Sequence, residues 1–491
     1  MNNIVLNVDA ATQKISRHIY GHFAEHLGHC IYGGIWVGEK SSIPNVRGIR
    51  TDVVNALRGL NIPNLRWPGG CFADDYHWRD GVGPYESRAE MVNAHWGGVT
   101  EDNSFGTHEF MELCGMLNCE PYICGNVGSG TVREMSDWVQ YLTSAAKCPM
   151  TDLRRANGRE EPWKVSYWGV GNEAWGCGGN MKAEYYADVY RQYATYLRRQ
   201  PNNTLYKIAV GANTDDYHWT DVMMREAARF MDGISLHYYT VTGTWKDKGS
   251  ATEFGTDEWF TCLKKTLFID ELITRHGAVM DTHDPEKRVG LIVDEWGTWH
   301  DVEPGTNPGF LFQQNSLRDA LVAGLNLNIF NSHADRVHMA NIAQTINVLQ
   351  AMVLTRDEEI VLTPSYHVFE MYKDHQDATA IPLRLSADAY EHNGEKIPAI
   401  NASASINSAG MTLITICNVH PSDAVELQCE LRGAGASEVV GRVLTAPEIT
   451  AFNSFDSPET VSPKPFDGAE LRGSSIRVRM PAKSVVALHV K

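Results

Sequence analysis

The sequence predicts a (β/α)₈ barrel followed by an all-β sandwich. Three observations predict it. Between residues 18 and 377, short apolar runs alternate eight times with amphipathic helical patterns, the signature of parallel strands and their crossover helices. Beyond residue 378 helical periodicity stops, and strand-like runs follow one another between Gly, Pro, Asn and Ser turns. Two of the barrel strands run out in the same way, on a Glu beside a Trp: Trp168-Gly169-Val170-Gly171-Asn172-Glu173-Ala174-Trp175 and Val293-Asp294-Glu295-Trp296.

The elements follow in order. Residues 4–8 alternate apolar and polar and form a lone strand. It has no partner in a parallel barrel, so it is assigned to the sandwich, giving segments 1–17 (strand of the sandwich), 18–377 (barrel) and 378–491 (sandwich). The eight predicted barrel strands are 18–23, 64–67, 121–124, 164–168 running on into Glu173, 206–210, 233–239, 290–295 and 337–342, the last ending near Gln344. Their predicted helices are 52–60, 108–117, 132–146, 183–199, 221–230, 259–276, 316–330 and 366–374. The sandwich strands are expected at 381–385, 399–404, 411–417, 424–431, 475–480 and 484–490. There are no internal repeats and no low-complexity segments.

The totals narrow the function. A chain of 491 residues with 43% hydrophobic and 21% charged residues has the composition of a globular protein with more than one core. A formal net charge of −17 argues against nucleic acid or an anionic membrane as partner and suits a neutral substrate. There is no apolar run long enough to span a bilayer, and the first residues lack the pattern of a signal peptide. Ten cysteines without framework spacing read as reduced thiols in a cytoplasmic protein, with Cys177 a loop residue without chemistry.

The two strand-end glutamates carry the chemistry. Active sites of such barrels lie at the C-terminal ends of the strands. Glu173 ends the fourth and Glu295 the seventh, and the 122 positions between them fit three βα units. Two carboxylates facing each other there can divide glycoside hydrolysis between an acid/base and a nucleophile. A lone strand-end Glu is as readily structural as catalytic; two in matched contexts favour catalysis.

These motifs resemble those of the retaining α-L-arabinofuranosidases of glycoside hydrolase family 51. The likeness extends to Leu65-Arg66-Trp67-Pro68-Gly69-Gly70-Cys71-Phe72, to Tyr76-His77-Trp78, and to Tyr20-Gly21-His22-Phe23-Ala24-Glu25-His26, and it covers nearly the whole chain. The resemblance implies Glu173 as acid/base and Glu295 as nucleophile. It implies Asn172 on the sugar 2-hydroxyl, Glu25 on further hydroxyls, Arg66 holding the carboxylates and Tyr239 bonded to the nucleophile with His237 beside it. Trp299 would line the pocket, Gln344 would touch the sugar, and Trp96 would wall the leaving-group side. Cys71 is included in the substrate-binding set, although some members carry Asn there. The resemblance also implies a homo-oligomer, a hexamer by analogy. No cofactor or metal is expected.

Other readings compete. A β-glycanase or xylosidase would use the same barrel and carboxylates. A catalytically dead sugar-binding barrel would not need both glutamates. His22-Phe23-Ala24-Glu25-His26 matches H-x-x-E-H, a zinc-peptidase pattern that needs a helix to aim both His at one ion.

Overall fold

The computed structural model describes residues 2–473 and 475–491; Met1, in the predicted 1–17 segment, and Ser474 lie outside them. Eight parallel strands close into a barrel: Gly21–Phe23, Asn64–Trp67, Glu120–Gly125, Tyr167–Val170, Tyr206–Asn213, Gly233–Thr240, Gly290–Thr298 and Val337–Ile342. The eighth pairs with the first, Asn341 opposite Gly21 and Ile342 opposite His22. The interior is filled by Tyr122, Cys124, Ile208, Ile292 and Met339, so the barrel is a packed core with its working surface at one end.

Each predicted strand and helix is present, most with shifted ends and some, such as Asn64–Trp67 and Val337–Ile342, with the predicted bounds. The first strand is shorter than expected, because Arg17–Tyr20 is a 3₁₀ turn capped by Ser16, whose Oγ accepts from the His18 N–H. Residues 164–166 precede the fourth strand rather than belonging to it. The helix after the sixth strand runs over Thr256–His283, longer at both ends than its apolar stripe. An additional helix, Pro149–Ala156, has only Thr151 and Arg154 buried, too few to leave an apolar period in the sequence.

The C-terminal region is two packed sheets of five and six strands. The N-terminal strand Asn2–Asn7 lies inside the smaller sheet, antiparallel to Leu383–Ser386 and parallel to Val425–Arg432. Ile4, Leu6, Ile414, Ile416, Leu427, Val478, Val486 and Leu488 fill the space between the sheets. Full burial of each such side chain is worth about 1.5–3 kcal/mol. The sandwich seats on the helix that follows the seventh strand, Leu317–Ser332, in which Leu317 to Asn331 are all buried. Its polar residues are used at this contact: Asn328 Oδ1 accepts from Ser403 Oγ at 2.9 Å and Thr415 Oγ1 at 2.7 Å, and Asn331 Nδ2 donates to Ser403 Oγ at 3.1 Å. The sandwich therefore braces the element directly behind the strand that carries Glu295.

Candidate active site

Arg66, the third residue of the second strand, organises the barrel mouth. It is 1% exposed. One Nη donates to Glu295 Oε1 at 2.8 Å and the other to Asn172 Oδ1 at 2.6 Å, while Nε lies 3.6 Å from Asp294 Oδ2. Burial works against its charge, but Cys124, Asp294 and Glu295 more than restore it, so the guanidinium stays charged. Gly70, just beyond this strand, must be glycine: a Cβ there would lie 2.7 Å from Glu295 Oε1.

Glu295 is 5% exposed and is held on its other oxygen by the Tyr239 hydroxyl, which donates at 2.9 Å. Burial and the nearby Glu295 charge push the Tyr239 hydroxyl well above the usual phenol range, so it remains a donor. Across the mouth, Glu173 Oε1 accepts from His237 Nδ1 at 2.8 Å. The same His237 nitrogen is 3.5 Å from Glu295 Oε2, and a His237 ring nitrogen and one carboxylate oxygen each of Glu173 and Glu295 lie within 4.8 Å of one another.

Burial raises the Glu173 carboxyl above the ordinary range; His237 and Arg66 oppose this, Glu295 adds to it, and the net direction is upward. Glu173 also has a left-handed backbone, φ 39°, following Gly171 at φ 85°. A non-glycine residue held there costs on the order of 1–3 kcal/mol, and such strain concentrates at functional sites.

His237 sits between carboxylates, Nδ1 toward Glu173 and Nε2 3.1 Å from Asp294 Oδ1. Burial lowers its basicity, but Glu295, Asp294 and Glu173 overcome that and push it up to about 10. It is therefore an imidazolium with both N–H groups donated, without a lone pair for a metal ion. Burial alone would raise the Asp294 carboxyl, but Arg66, His237 and the Tyr122 hydroxyl, which donates at 2.6 Å, hold it below the usual range.

Glu25, 2% exposed, accepts from the Gly70 and Phe72 backbone N–H groups at 2.9 and 3.1 Å, from Trp96 Nε1 at 3.1 Å and from Gln344 Nε2 at 2.8 Å. Burial and Glu295 raise its carboxyl to about 7. Trp96 and Gln344 are thus tied to Glu25. Trp299 packs edge-on against Tyr239, ring centroids 5.1 Å apart, with the exposed Trp245 5.5 Å further out. All eleven predicted residues converge on the mouth.

Two expectations are corrected. Cys71 and Cys177 form a disulfide, with Cα atoms 5.5 Å apart, so the cysteines are not all reduced and Cys177 is not an idle loop residue. Cys71 Sγ is bonded and carries no proton to offer a sugar hydroxyl. The pair is 106 residues apart, and only folding brings it together. The zinc reading fails on geometry. Residues 21–23 are strand and 24–25 are not helical. His22 packs beside Phe369 with its centroid 5.0 Å away, and burial lowers it to about 3, while His26 Nε2 accepts from Trp67 Nε1 at 3.1 Å.

Two residues outside the predicted set are built into this network. Asp74 is 4% exposed; it accepts from the backbone N–H groups of Val127 and Gly128 at 2.6 and 3.0 Å and of Asn172 at 2.7 Å. Asp294 precedes Glu295 on the same strand, where regular alternation would turn it to the opposite face. The pairing register shifts between Val293 and Trp296, and this bulge lets both neighbours serve the site.

A pair of carboxylates at a barrel mouth, one buried and fixed by an arginine and a tyrosine and the other partly exposed and raised toward its protonated form, defines a glycoside hydrolase of the two-carboxylate type. Family models described as the α-L-arabinofuranosidase 1 domain and the α-L-arabinofuranosidase C-terminal domain match residues 56–253 and 294–484. An intracellular exo-α-L-arabinofuranosidase of Bacteroides ovatus is 53% identical over 489 residues, 99% of this chain and 95% of that one. A family 51 arabinofuranosidase crystal structure from Xanthomonas axonopodis pv. citri superposes with a TM-score of 0.99 at 51% identity, covering all of both chains. The arabinose complex of a Thermotoga maritima α-L-arabinofuranosidase gives 0.88 at 30% identity, again over all of both chains. The chain belongs to the α-L-arabinofuranosidases of glycoside hydrolase family 51.

Proposed function

We propose that this protein is a retaining exo-α-L-arabinofuranosidase that removes terminal non-reducing α-L-arabinofuranosyl groups from oligosaccharides of arabinan or arabinoxylan. The observation that carries the mechanism is the unequal pair Glu173 and Glu295, with one carboxylate oxygen of each within 4.8 Å of the other. That closeness suits a retaining pair, with carboxyl groups about 5–5.5 Å apart, better than an inverting pair, which leaves room for water at about 6.5–9.5 Å.

In the first step, Glu295, aligned by Arg66 and Tyr239, attacks the anomeric carbon while Glu173 protonates the departing oxygen. Forming the glycosyl ester removes the Glu295 charge, one of the groups holding Glu173 protonated. Glu173, left ionised by that proton transfer, therefore stays a carboxylate and takes the proton of the incoming water. Asn172, oriented through Arg66 and Asp74, bonds the 2-hydroxyl, and Glu25 with Gln344 receives further hydroxyls. Trp299 and Trp96 bound the sugar on its two sides. The sandwich supports the barrel rather than binding sugar.

The 53% identical relative, named as intracellular and exo-acting, supports the same mode and a cytoplasmic location. None of the described helices is long and apolar enough to cross a membrane. By family analogy the protein assembles as a homo-oligomer, a hexamer.

The test is Glu173→Ala on aryl α-L-arabinofuranosides, with aryl β-xylosides alongside. Loss of about 10²–10⁴-fold is expected for poor leaving groups, with little loss for activated phenolates and rescue by azide as a glycosyl azide of retained configuration. Equal loss on every leaving group without rescue removes the assignment, and preference for xylosides favours the glycanase reading.

A further inference from the structure

The residues on either side of Glu173 are gripped from a single turn. Cys71–Asp74 forms that turn after the second strand. At one end Asp74 accepts the N–H of Asn172, the residue before Glu173. At the other Cys71 is bonded to Cys177, four residues beyond it. Between the two grips lies the left-handed backbone of Glu173. Both sulfurs also face its carboxylate: Oε2 is 3.5 Å from Cys177 Sγ and 4.0 Å from Cys71 Sγ. As disulfide sulfurs they touch that oxygen without donating to it. The other eight cysteines are free, six of them buried, and the Cys71–Cys177 pair is only half-buried at the mouth.

We propose that Cys71 and Cys177 are a positioning pair for the acid/base, and that their redox state sets how well Glu173 protonates a leaving group. The proposal rests on Glu173 being the acid/base. Reduction by a dithiol transfers two electrons and two protons: the S–S bond breaks, two S–H bonds form, and the reductant closes to its own disulfide. Two changes then reach Glu173. The tether beyond it is released, so the left-handed turn can relax. Each sulfur becomes an S–H donor next to Oε2, and donation to a carboxylate favours its ionised form. Both changes make Glu173 a poorer acid. A reducing compartment would hold the enzyme in this weaker state, and oxidation would strengthen it.

The experiment compares oxidised enzyme, enzyme reduced with dithiothreitol and enzyme reoxidised afterwards, with free thiols counted by mass after alkylation. A Cys71→Ser, Cys177→Ser double variant gives the same comparison without reductant. The readouts are kcat/KM for aryl arabinofuranosides of good and poor leaving groups, and the basic limb of the pH profile. Reduced enzyme and double variant should lose roughly tenfold on poor leaving groups only, with the basic limb about one pH unit lower and full recovery on reoxidation. An unchanged limb and leaving-group dependence in both, with thiols confirmed free, overturns the proposal. Equal loss on all substrates also overturns it, since that is what simple loosening of the fold would give. Glu173→Ala in the same panel separates the two claims. If it shows no leaving-group dependence, the acid/base assignment has failed; if it does and the reduced enzyme does not, only this proposal has failed.

Discussion

Glu295 and Glu173 are the same residue type in similar sequence surroundings, yet their neighbours differ in kind. Glu295 lies within its strand, at a bulge, and has a cation, Arg66, on one oxygen and the Tyr239 hydroxyl on the other. Glu173 sits past the end of its strand in left-handed backbone, with a disulfide against one oxygen and His237 on the other. A nucleophile must be ionised and fixed in direction. An acid/base must gain and lose a proton in each cycle, which requires desolvation and a charge nearby that disappears when the intermediate forms. Rigid donors surround the first and a balance of opposing influences surrounds the second.

The largest effect expected from disturbing this contrast is at Glu295. Glu295→Ala should abolish turnover of good and poor leaving groups alike, by more than the roughly 10⁴-fold upper range of general acid–base catalysis. Activated substrates should give no relief, unlike Glu173→Ala, and a leaving-group pattern in kcat/KM matching that of Glu173→Ala would mean the two roles are misassigned.

A smaller effect sharpens the Glu295 side alone. Tyr239→Phe removes one hydrogen bond to a charged group, worth about 1.5–3 kcal/mol, so kcat/KM should fall roughly 10- to 150-fold. Glycosylation should slow while the leaving-group dependence keeps its slope. A change in that slope would tie Tyr239 to Glu173 instead.

The smallest effect concerns stability and the Glu173 side. His237 is raised from 6.5 to about 10 on folding, so its ion pairs contribute fully below pH 6.5 and fade as pH climbs toward 10. The Tm difference between wild type and His237→Asn should therefore be greatest at or below about pH 6.5 and shrink through pH 10. A difference that is constant over that window would mean His237 does not carry its charge in the folded protein.

The parts legible in the sequence share a physical reason. Barrel strands are short, apolar and capped by turn residues, so all eight could be read, and a carboxylate following such a run marks the mouth. The sandwich was read less completely. The hairpin of Ala389–His392 and Glu395–Pro398 and the strands Lys464–Phe466 and Ala469–Arg472 are mostly exposed and only three or four residues long, too short for an apolar period to stand out. Asp74 was illegible because its environment is three backbone N–H groups, which every sequence supplies. Asp294 was hidden by a bulge that breaks the alternation from which facing is inferred. The Cys71–Cys177 bond joins two loops that only barrel closure brings together.

The stereochemistry of the first product tests the retaining mechanism most directly. With a good aryl α-L-arabinofuranoside and enough enzyme to outrun mutarotation, proton NMR of the anomeric region should show α-L-arabinofuranose first, with the β-anomer appearing later by solvent equilibration. The β-anomer appearing first would require water to attack directly, and would contradict Glu295 as a nucleophile.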